Sequence, residues 1–538
     1  MALTQKAIDQ LTAALRFRRI DEGITLMERI ADDLQQLEVS TANPGSLLVL
    51  VAQWIDAGFR DARFLTPLLD RFSSAFRRKM TVDQYLQLRL AEGFHALAMR
   101  QCDEAIRTLD LVIRSRQDLG DASKLALAHF WKGRSHRKRG EYESALTHIE
   151  QARDLATVSG DFVFRAIIRI QESWLLFQKG LAKEALRLLA SSEAELRSTD
   201  HTIALGNIES ARGRIIRRSG DYASALKHFD KAQRLYEKRD SQHANLARCL
   251  VNAAYVRRIL ALQIRKRIDK MAQSGLSRSS SGGRRGHGDA DSLRARYHRL
   301  CQEAVKNLRN AREIYEFHGD EDGRGNVLLN LGYLHLDRGE IDRASQEADT
   351  AFRIGSQRSD QILMARARIL GTACENAHVE ERTGEHEDFT VHATRAREYS
   401  EEALALAQST QNRRLLAAAL LARGATASND FYQDWELART CAAGAASNVG
   451  PGENDMLVEA LADLKTRIVQ AAGINDTLRA WSEGILGDKA FQQIAEEFAE
   501  IVIPKVWIRE GKKIARVADR LSISPKKVRR VLRSAGWC

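Results

Sequence analysis

A glycine-rich stretch is the first place where this sequence could do chemistry. Residues 282–288 read GGRRGHG, which has the glycine density of a phosphate-binding loop. No strand pattern precedes the stretch and no Lys-Ser or Lys-Thr pair follows it, so we interpret it as a linker whose arginines could touch a nucleic acid backbone. The sequence contains neither a G-x-x-x-x-G-K-[ST] loop nor a G-x-S-x-G nucleophile motif.

A stretch rich in acid and histidine is the second candidate. His386 lies among Glu385, Glu387 and Asp388, with His392 nearby. These side chains could hold a metal ion, but they lie in a predicted loop without a fixed ligand spacing, which favours solvated charge. We therefore expect no metal and no cofactor. In the absence of a catalytic motif, we expect a binding protein and not an enzyme.

The composition predicts an almost entirely helical chain. Only 5 of the 538 residues are proline, and aromatic residues make up 6%. Helix interiors exclude proline, and a chain of this length exceeds what one compact core can hold. The six cysteines are scattered without a C-x-x-C pair, which predicts reduced, buried thiols. No apolar run approaches the roughly 20 residues of a membrane span, so we expect a soluble, cytoplasmic protein.

Positive charge is concentrated at the C-terminus. The net charge of the chain is +12, and residues 505–538 contain eleven basic and two acidic side chains, a difference of +9. A charge excess confined to one terminal segment indicates a local contact with a polyanion.

The same terminal segment has the pattern of a helix-turn-helix. In residues 514–532, IARVADRLSISPKKVRRVL, Ala518 is small where two helices would cross, Ser522 falls at the turn and Ile523 plugs it. Pro525 is suited to the first position of the second helix. That helix would turn its valines and Leu532 inward and its basic side chains outward, as a helix in a DNA major groove requires.

These residues resemble the C-terminal DNA-binding domain of the Fis family of bacterial regulators. The resemblance covers about 45 residues and implies DNA contacts from the following side chains: Lys512, Lys513, Ser524, Lys526, Lys527, Arg529, Arg530 and Arg533. In that family the preceding helix belongs to a dimer interface, which would allow a homodimer, although Pro504 is expected to interrupt this helix here. There are two alternatives to DNA binding: the segment could bind RNA, or it could serve as a helical cap or protein-contact module.

A repeat organises the rest of the chain. Small and aromatic residues recur at offsets of 7, 9, 12, 16 and 19 from a leading glycine, in Gly133, Gly140, Tyr142, Ala145, Ile149 and Ala152 and again in Gly213, Gly220, Tyr222, Ala225, Phe229 and Ala232. The leading positions 93, 133, 173 and 213 are 40 residues apart, and the pattern returns at Gly332. A single helix hairpin of this kind cannot bury its apolar face, so neighbours must stack.

The repeat resembles the tetratricopeptide repeat in a long version. The resemblance implies an all-α solenoid of antiparallel helix pairs, followed by the small helix-turn-helix domain. We expect five segments: an N-terminal helical cap of degenerate repeats (1–80), repeats (81–270), a flexible Gly/Ser/Arg-rich insertion (271–295), further repeats (296–475) and the C-terminal domain (476–538).

In tetratricopeptide proteins, the positions one and four residues after the leading glycine face the inner surface. Here a partner-binding groove would contain Arg134, Arg137, Lys138, Trp174, Phe177, Arg214, Arg217 and Arg218. Arginines around an aromatic patch suit an acidic peptide or helix.

The solenoid and the basic C-terminal segment together favour a bacterial transcriptional or signalling regulator. A protein or peptide bound to the solenoid would control it, and the tail would bind DNA. The alternative is a scaffold or adaptor of a multiprotein complex that does not bind DNA.

Overall fold

Helices are the only long regular elements in the described part of the chain. The structure is a computed structural model that describes residues 4–36, 44–115, 121–276, 285–382, 389–450, 452–471 and 490–534. It divides into two compact units, Met1–Leu461 and Ala462–Cys538. No helix among the described residues is long and apolar enough to cross a membrane.

The first unit begins with helices that do not follow the 40-residue interval. They are α1 (Gln5–Arg16), α2 (Ile20–Gln35), α3 (Pro44–Asp56), a 3-10 turn (Ala62–Leu65), α4 (Thr66–Leu69) and α5 (Ser74–Arg77). Trp54 is fully buried, and its ring lies so close to Gly23 that no side chain would fit there.

Consecutive antiparallel helix pairs then follow. They are α6 (Val82–Ala98) with α7 (Cys102–Arg114), α8 (Ala122–Arg139) with α9 (Tyr142–Val158), α10 (Phe162–Gln178) with α11 (Ala182–Leu196), and α12 (Thr202–Arg218) with α13 (Tyr222–Arg239). The first helices of these pairs begin 40 residues apart, as the spacing of the leading glycines predicts.

The repeat positions lie where the two helices of a pair touch. A Cβ atom on Gly133 would come within 2.9 Å of Ile149, and one on Gly213 within 2.8 Å of the Phe229 ring. Because a methyl group would clash at these positions, the glycines allow the helices to approach closely. Gly140 follows α8 in the left-handed conformation with φ 82°, the predicted helix end.

The predicted insertion falls within the next pair, and three more pairs follow it. In order, these pairs are α14 (Ala244–Leu276) with α15 (Arg285–Phe317), α16 (Glu321–Asp337) with α17 (Ile341–Gln357), α18 (Gln361–Arg382) with α19 (Thr390–Gln408), and α20 (Arg413–Ala427) with α21 (Trp435–Ser447). Helices α14 and α15 extend over 271–276 and 285–295, so most of the predicted flexible insertion is helical. Its centre lies outside the described residues.

Helix α22 (Met456–Ala471) crosses the division between the units, and the second unit continues with α23 (Phe491–Arg509), α24 (Ile514–Leu521) and α25 (Pro525–Ser534). The last three helices share a core of Ala499, Ile503, Trp507, Val517, Ala518, Val528, Val531 and Leu532.

The expected interruption at Pro504 is wrong, because α23 runs through this residue. A proline inside a helix removes one backbone hydrogen bond and costs about 3 kcal/mol. Pro504 is buried beside Ile503 and near Trp507, and the packing of these side chains against α24 and α25 offsets that loss.

Candidate functional site

Two arginines and a tryptophan from three successive first helices of the solenoid lie in contact. The guanidinium carbon of Arg137 lies 5.2 Å from the centroid of the Trp174 ring, and that of Arg214 lies 5.9 Å from it. Tyr142 meets the same ring edge-on at 5.3 Å. Helices α8, α10 and α12 therefore bring together residues from repeats that are 40 positions apart in the sequence.

Other members of the predicted groove are held by partners within the fold. Arg134 forms an ion pair with Asp56 at 2.6 Å, and Lys138 donates a hydrogen bond to the carbonyl of Leu97 at 2.8 Å. These contacts engage both cations, so neither is available to a partner without breaking a native contact.

Two more predicted groove residues, Phe177 and Arg218, are also part of the packing. Phe177 is buried, and the guanidinium of Arg218 lies 3.8 Å from its ring centroid. Arg218 is buried as well and forms an ion pair with Glu453 at 3.5 Å. Residues 177 and 218 thus join α10 and α12 to the segment that precedes α22.

Two arginines that were not predicted, Arg248 and Arg366, lie near the predicted residue Arg217. Arg217 stacks on Tyr255 at 4.6 Å and donates to the side-chain oxygen of Asn252 at 3.1 Å. The charge of Arg248, on α14, lowers the pKa of Arg137 and Arg214. Arg366, on α18, is acted on by the charges of Tyr333, Asp360 and Arg217. We call the set Arg137, Arg214, Arg217, Arg248 and Arg366 the inner arginine cluster.

Burial lowers the pKa values of Arg137, Arg214 and Arg366, and the charges of neighbouring arginines lower them further. Burial, followed by the charges of Arg248 and Arg134, lowers the pKa of Arg137 to about 9. Burial, followed by the charges of Arg248 and Arg137, also lowers the pKa of Arg214 far below its ordinary range. Burial lowers the pKa of Arg366 as well. With a pKa of about 9, Arg137 remains positively charged at neutral pH.

Arg248 and Arg366 were missed because the predicted inner positions covered only part of each first helix. The offsets of one and four residues after the leading position fall in the second half of α8 and α12. Arg248 and Arg366 lie in the first half of α14 and α18.

The basic side chains between residues 490 and 534 are all exposed. They include every cation that the resemblance assigns to DNA contact: Lys512, Lys513, Lys526, Lys527, Arg529, Arg530 and Arg533. Among them, Arg530 lies 3.4 Å from Glu496 and Lys512 lies 5.7 Å from the Trp507 ring centroid. The opposite face of α25 is buried in the core, so the helix is basic on one side only.

The turn between α24 and α25 has the predicted geometry. Ser522 ends α24 in the left-handed conformation, with φ 51° and ψ 42°, and Ile523 packs against the core. The hydroxyl of Ser524 accepts a hydrogen bond from the backbone N–H of Lys527 at 3.2 Å, which caps α25.

The second candidate site, the stretch around His386, is described by the structure only in part. Residues 383–388 lie outside the described residues, and His392 instead contacts Glu375, with 2.6 Å between Nδ1 and Oε2. Within the described ranges, no group of three or more His, Cys, Asp and Glu side chains could hold a metal ion. The described cysteines are free thiols, and Cys249, Cys301, Cys374 and Cys441 are buried.

Comparison with solved structures identifies the fold. A Rap protein in complex with competence and sporulation factor matches with a TM-score of 0.50 and 14% identity, over 74% of this chain and 98% of the other. The chain is a tetratricopeptide-type α-solenoid. The apo quorum sensor NprR from B. thuringiensis (TM-score 0.46, 12% identity, 75% and 98% covered) and a monomeric IFIT1 mutant with Gppp-AAAA (0.45, 12%, 84% and 86%) are more distant.

No protein-family model matches the sequence, and no curated protein is significantly similar to it. The structural likeness therefore establishes the fold alone, and the function must be argued from the chain's own side chains.

Proposed function

We propose that this chain is a partner-binding regulator in which the solenoid takes up a protein or peptide and the C-terminal helix-turn-helix binds DNA. The observation that carries the DNA-binding half is the basic outer face of α25, which rests on a buried three-helix core. A helix presented in this way fits the major groove, with lysines and arginines directed at phosphates and base edges.

The partner-binding half rests on the inner arginine cluster. Its arginines come from helices of different repeats and remain partly exposed, next to Trp174 and Tyr255. A concave surface with several guanidinium groups suits a peptide or a helix of a partner protein. Both roles are binding roles, so the chain would act as a regulator without a reaction of its own.

Binding of a labelled mixed-sequence DNA duplex, followed by fluorescence anisotropy over a range of salt concentrations, tests the DNA-binding half. The intact chain should bind at low salt. The double variant Lys526→Gln with Arg529→Gln should bind more weakly, and its salt slope should fall by about 1 for each phosphate that no longer meets a cation. The double variant Arg187→Gln with Arg309→Gln, which removes the same charge from exposed positions of α11 and α15, should bind like the wild type.

Equal losses of affinity in both double variants would mean that the overall charge of the chain determines DNA binding. This result would contradict a DNA-binding helix. If the intact chain does not bind DNA but purifies with stable protein partners, the scaffold alternative replaces the proposal.

A further inference from the structure

The members of the inner arginine cluster have no acidic partner at ion-pair distance in the part of the chain that the structure describes. Other partly buried arginines of the solenoid do form ion pairs, as Arg134 does with Asp56 and Arg258 with Asp337. Within the described residues, no member of the cluster forms an ion pair with a carboxylate. The surroundings of Arg137 and Arg214 are instead Trp174, tyrosine side chains, other cations and, for Arg214, a backbone carbonyl.

Neutral amide groups hold the other members in place. Arg217 donates to Asn252 at 3.1 Å, Arg248 donates to Asn245 at 2.6 Å, and Arg366 donates to Asn326. An amide oxygen fixes the direction of a guanidinium group but carries no charge to cancel it. The fold therefore positions these cations without an ion pair, and the charge of Asp360 acts on Arg366 only from a greater distance.

Such an arrangement destabilises the folded chain on its own. Charges that are withdrawn from water without a counter-charge are costly, and like charges at close range repel each other. Evolution commonly retains this kind of unfavourable cluster where a ligand supplies the missing charge. Arg137 illustrates the imbalance, because its Nε atom is buried and has no hydrogen-bond partner among the described residues.

The aromatic surroundings bear on which anion fits. The Trp174 ring is flanked by the guanidinium groups of Arg137 and Arg214 and by the edge of Tyr142, and the Tyr255 ring is covered by Arg217. These rings are engaged, so a nucleobase would find little open aromatic surface for stacking. The N–H edges of the stacked guanidinium groups are suited to the paired oxygens of carboxylates.

We infer that the inner arginine cluster binds a peptide segment that presents closely spaced Asp or Glu carboxylates. This inference rests on the proposed function, since it names the chemistry of the partner that the solenoid takes up. Arg137 and Arg214 flank one ring, and the charges of Arg217 and Arg248 also act on Arg214, so a single carboxylate would not balance them. Binding should therefore depend strongly on salt and on the number of adjacent acidic residues.

The test is a titration of the intact chain with a fluorescein-labelled oligoglutamate peptide, followed by fluorescence anisotropy at low salt. We expect saturable binding with one peptide per chain, and no binding of an oligoglutamine peptide of equal length. The double variant Arg217→Gln with Arg248→Gln should weaken binding by about tenfold or more, as expected for charge-assisted hydrogen bonds. Circular dichroism checks that this double variant is folded. The single variant Arg366→Gln provides a second, milder test.

Two matched pairs exclude other sites. Arg187→Gln with Arg309→Gln removes the same charge from the outside of the solenoid, and Lys526→Gln with Arg529→Gln removes it from the C-terminal unit. Both pairs should leave the affinity for oligoglutamate within about twofold of the wild type, because exposed charges away from the site contribute little.

Several outcomes would overturn the inference. Equal weakening by all three pairs would mean unspecific attraction, and loss of binding only in the C-terminal pair would move the site to that unit. Displacement of the peptide by inorganic triphosphate at a lower concentration than by unlabelled oligoglutamate would reassign the cluster to phosphoryl groups. The DNA experiment does not use these arginines, so intact DNA binding without peptide binding would reject this inference and leave the DNA-binding half of the proposed function standing.

Discussion

Arg100 and Asp320 form an ion pair although 220 residues separate them in the sequence. Asp322 lies 3.2 Å from the same guanidinium group, and Arg358 approaches Asp322 at 2.7 Å. The segment between α6 and α7 is thereby joined to the start of α16 and the end of α17. The charge of Arg100 also acts on Arg137, so this contact lies near the inner arginine cluster.

Arg100→Gln should destabilise the first unit by about 1–3 kcal/mol, because Asp320 is buried and would lose its counter-charge. The midpoint of urea unfolding, followed by circular dichroism, measures this change. Arg107→Gln is the matched control, since Arg107 pairs with Glu104 on the exposed surface and its loss should leave the stability almost unchanged. Similar shifts for both variants would show that the ion pair between Arg100 and Asp320 contributes no more than a surface pair.

Helix contacts of this kind were not predictable from the repeat. The spacing of small residues fixes which two helices form a pair, as Gly133 against Ile149 shows. The curvature that brings Arg100 to Asp320 depends on small rotations that add up over several repeats, and no local pattern records them. The structure therefore brings together only some of the predicted groove residues: Arg137 and Arg214 meet at Trp174, while Arg134 is engaged with Asp56.

The C-terminal domain was easier to predict because its contacts are local. The small residue at Ala518, the turn at Ser522 and the start of a helix at Pro525 all lie within a few positions of each other, and all occur as expected. Pro504 was misjudged because the rule against proline in a helix considers one hydrogen bond, whereas the core around Ile503 supplies packing from two other helices.

A histidine–aspartate pair should make stability depend on pH. Nδ1 of His318 lies 3.1 Å from Oδ2 of Asp61, and Nε2 lies 2.5 Å from the carbonyl of Gln242. The hydrogen bond that His318 donates to Asp61 raises the pKa of His318 and lowers the pKa of Asp61. The histidine contribution is complete below its ordinary pKa of about 6.5 and is lost as the pH rises through the raised folded value.

The free energy of unfolding of the wild type and of His318→Gln, measured between about pH 5.5 and 8.5, checks this prediction. The difference between the two proteins should be greatest at the acidic end and should shrink as the pH rises. The comparison must be a difference, because burial lowers the pKa of His129 to about 4 and gives that residue the opposite trend. A difference that stays constant over this range would contradict a titrating pair.

Glycine at the turn of the C-terminal domain should stabilise it. Ser522 adopts a left-handed conformation that costs an L-residue about 1 kcal/mol and glycine almost nothing. Ser522→Gly should therefore strengthen the protection of amides in 514–534 against hydrogen exchange by about 0.5–1 kcal/mol. Ser522→Ala is the control, since alanine bears the same strain and should bring no gain. Equal protection in the two variants would mean that the conformation carries no strain.

The inner arginine cluster should be a place where removing charge makes the protein more stable. Arg137 has no acidic partner, and burial with neighbouring positive charge lowers its pKa to about 9. Because the unfolded arginine holds its proton more tightly, this group destabilises the folded chain at neutral pH, and its penalty shrinks as the pH rises above 9. Arg137→Met keeps the aliphatic stem and removes the charge, so we expect the free energy of unfolding to rise by about 1 kcal/mol. This rise already includes the loss of the guanidinium group that stacks on this side of Trp174.

Arg134→Met is the matched control for that gain, because Arg134 lies one helical turn earlier and is paired with Asp56 at 2.6 Å. Arg134→Met should lower the free energy of unfolding by about 1–3 kcal/mol, since Asp56 would keep its charge without its partner. Thermal and urea unfolding of the two variants should therefore move in opposite directions from the wild type. If Arg137→Met is destabilised as much as Arg134→Met, then Arg137 serves the fold itself, and its charge does not await an acidic ligand.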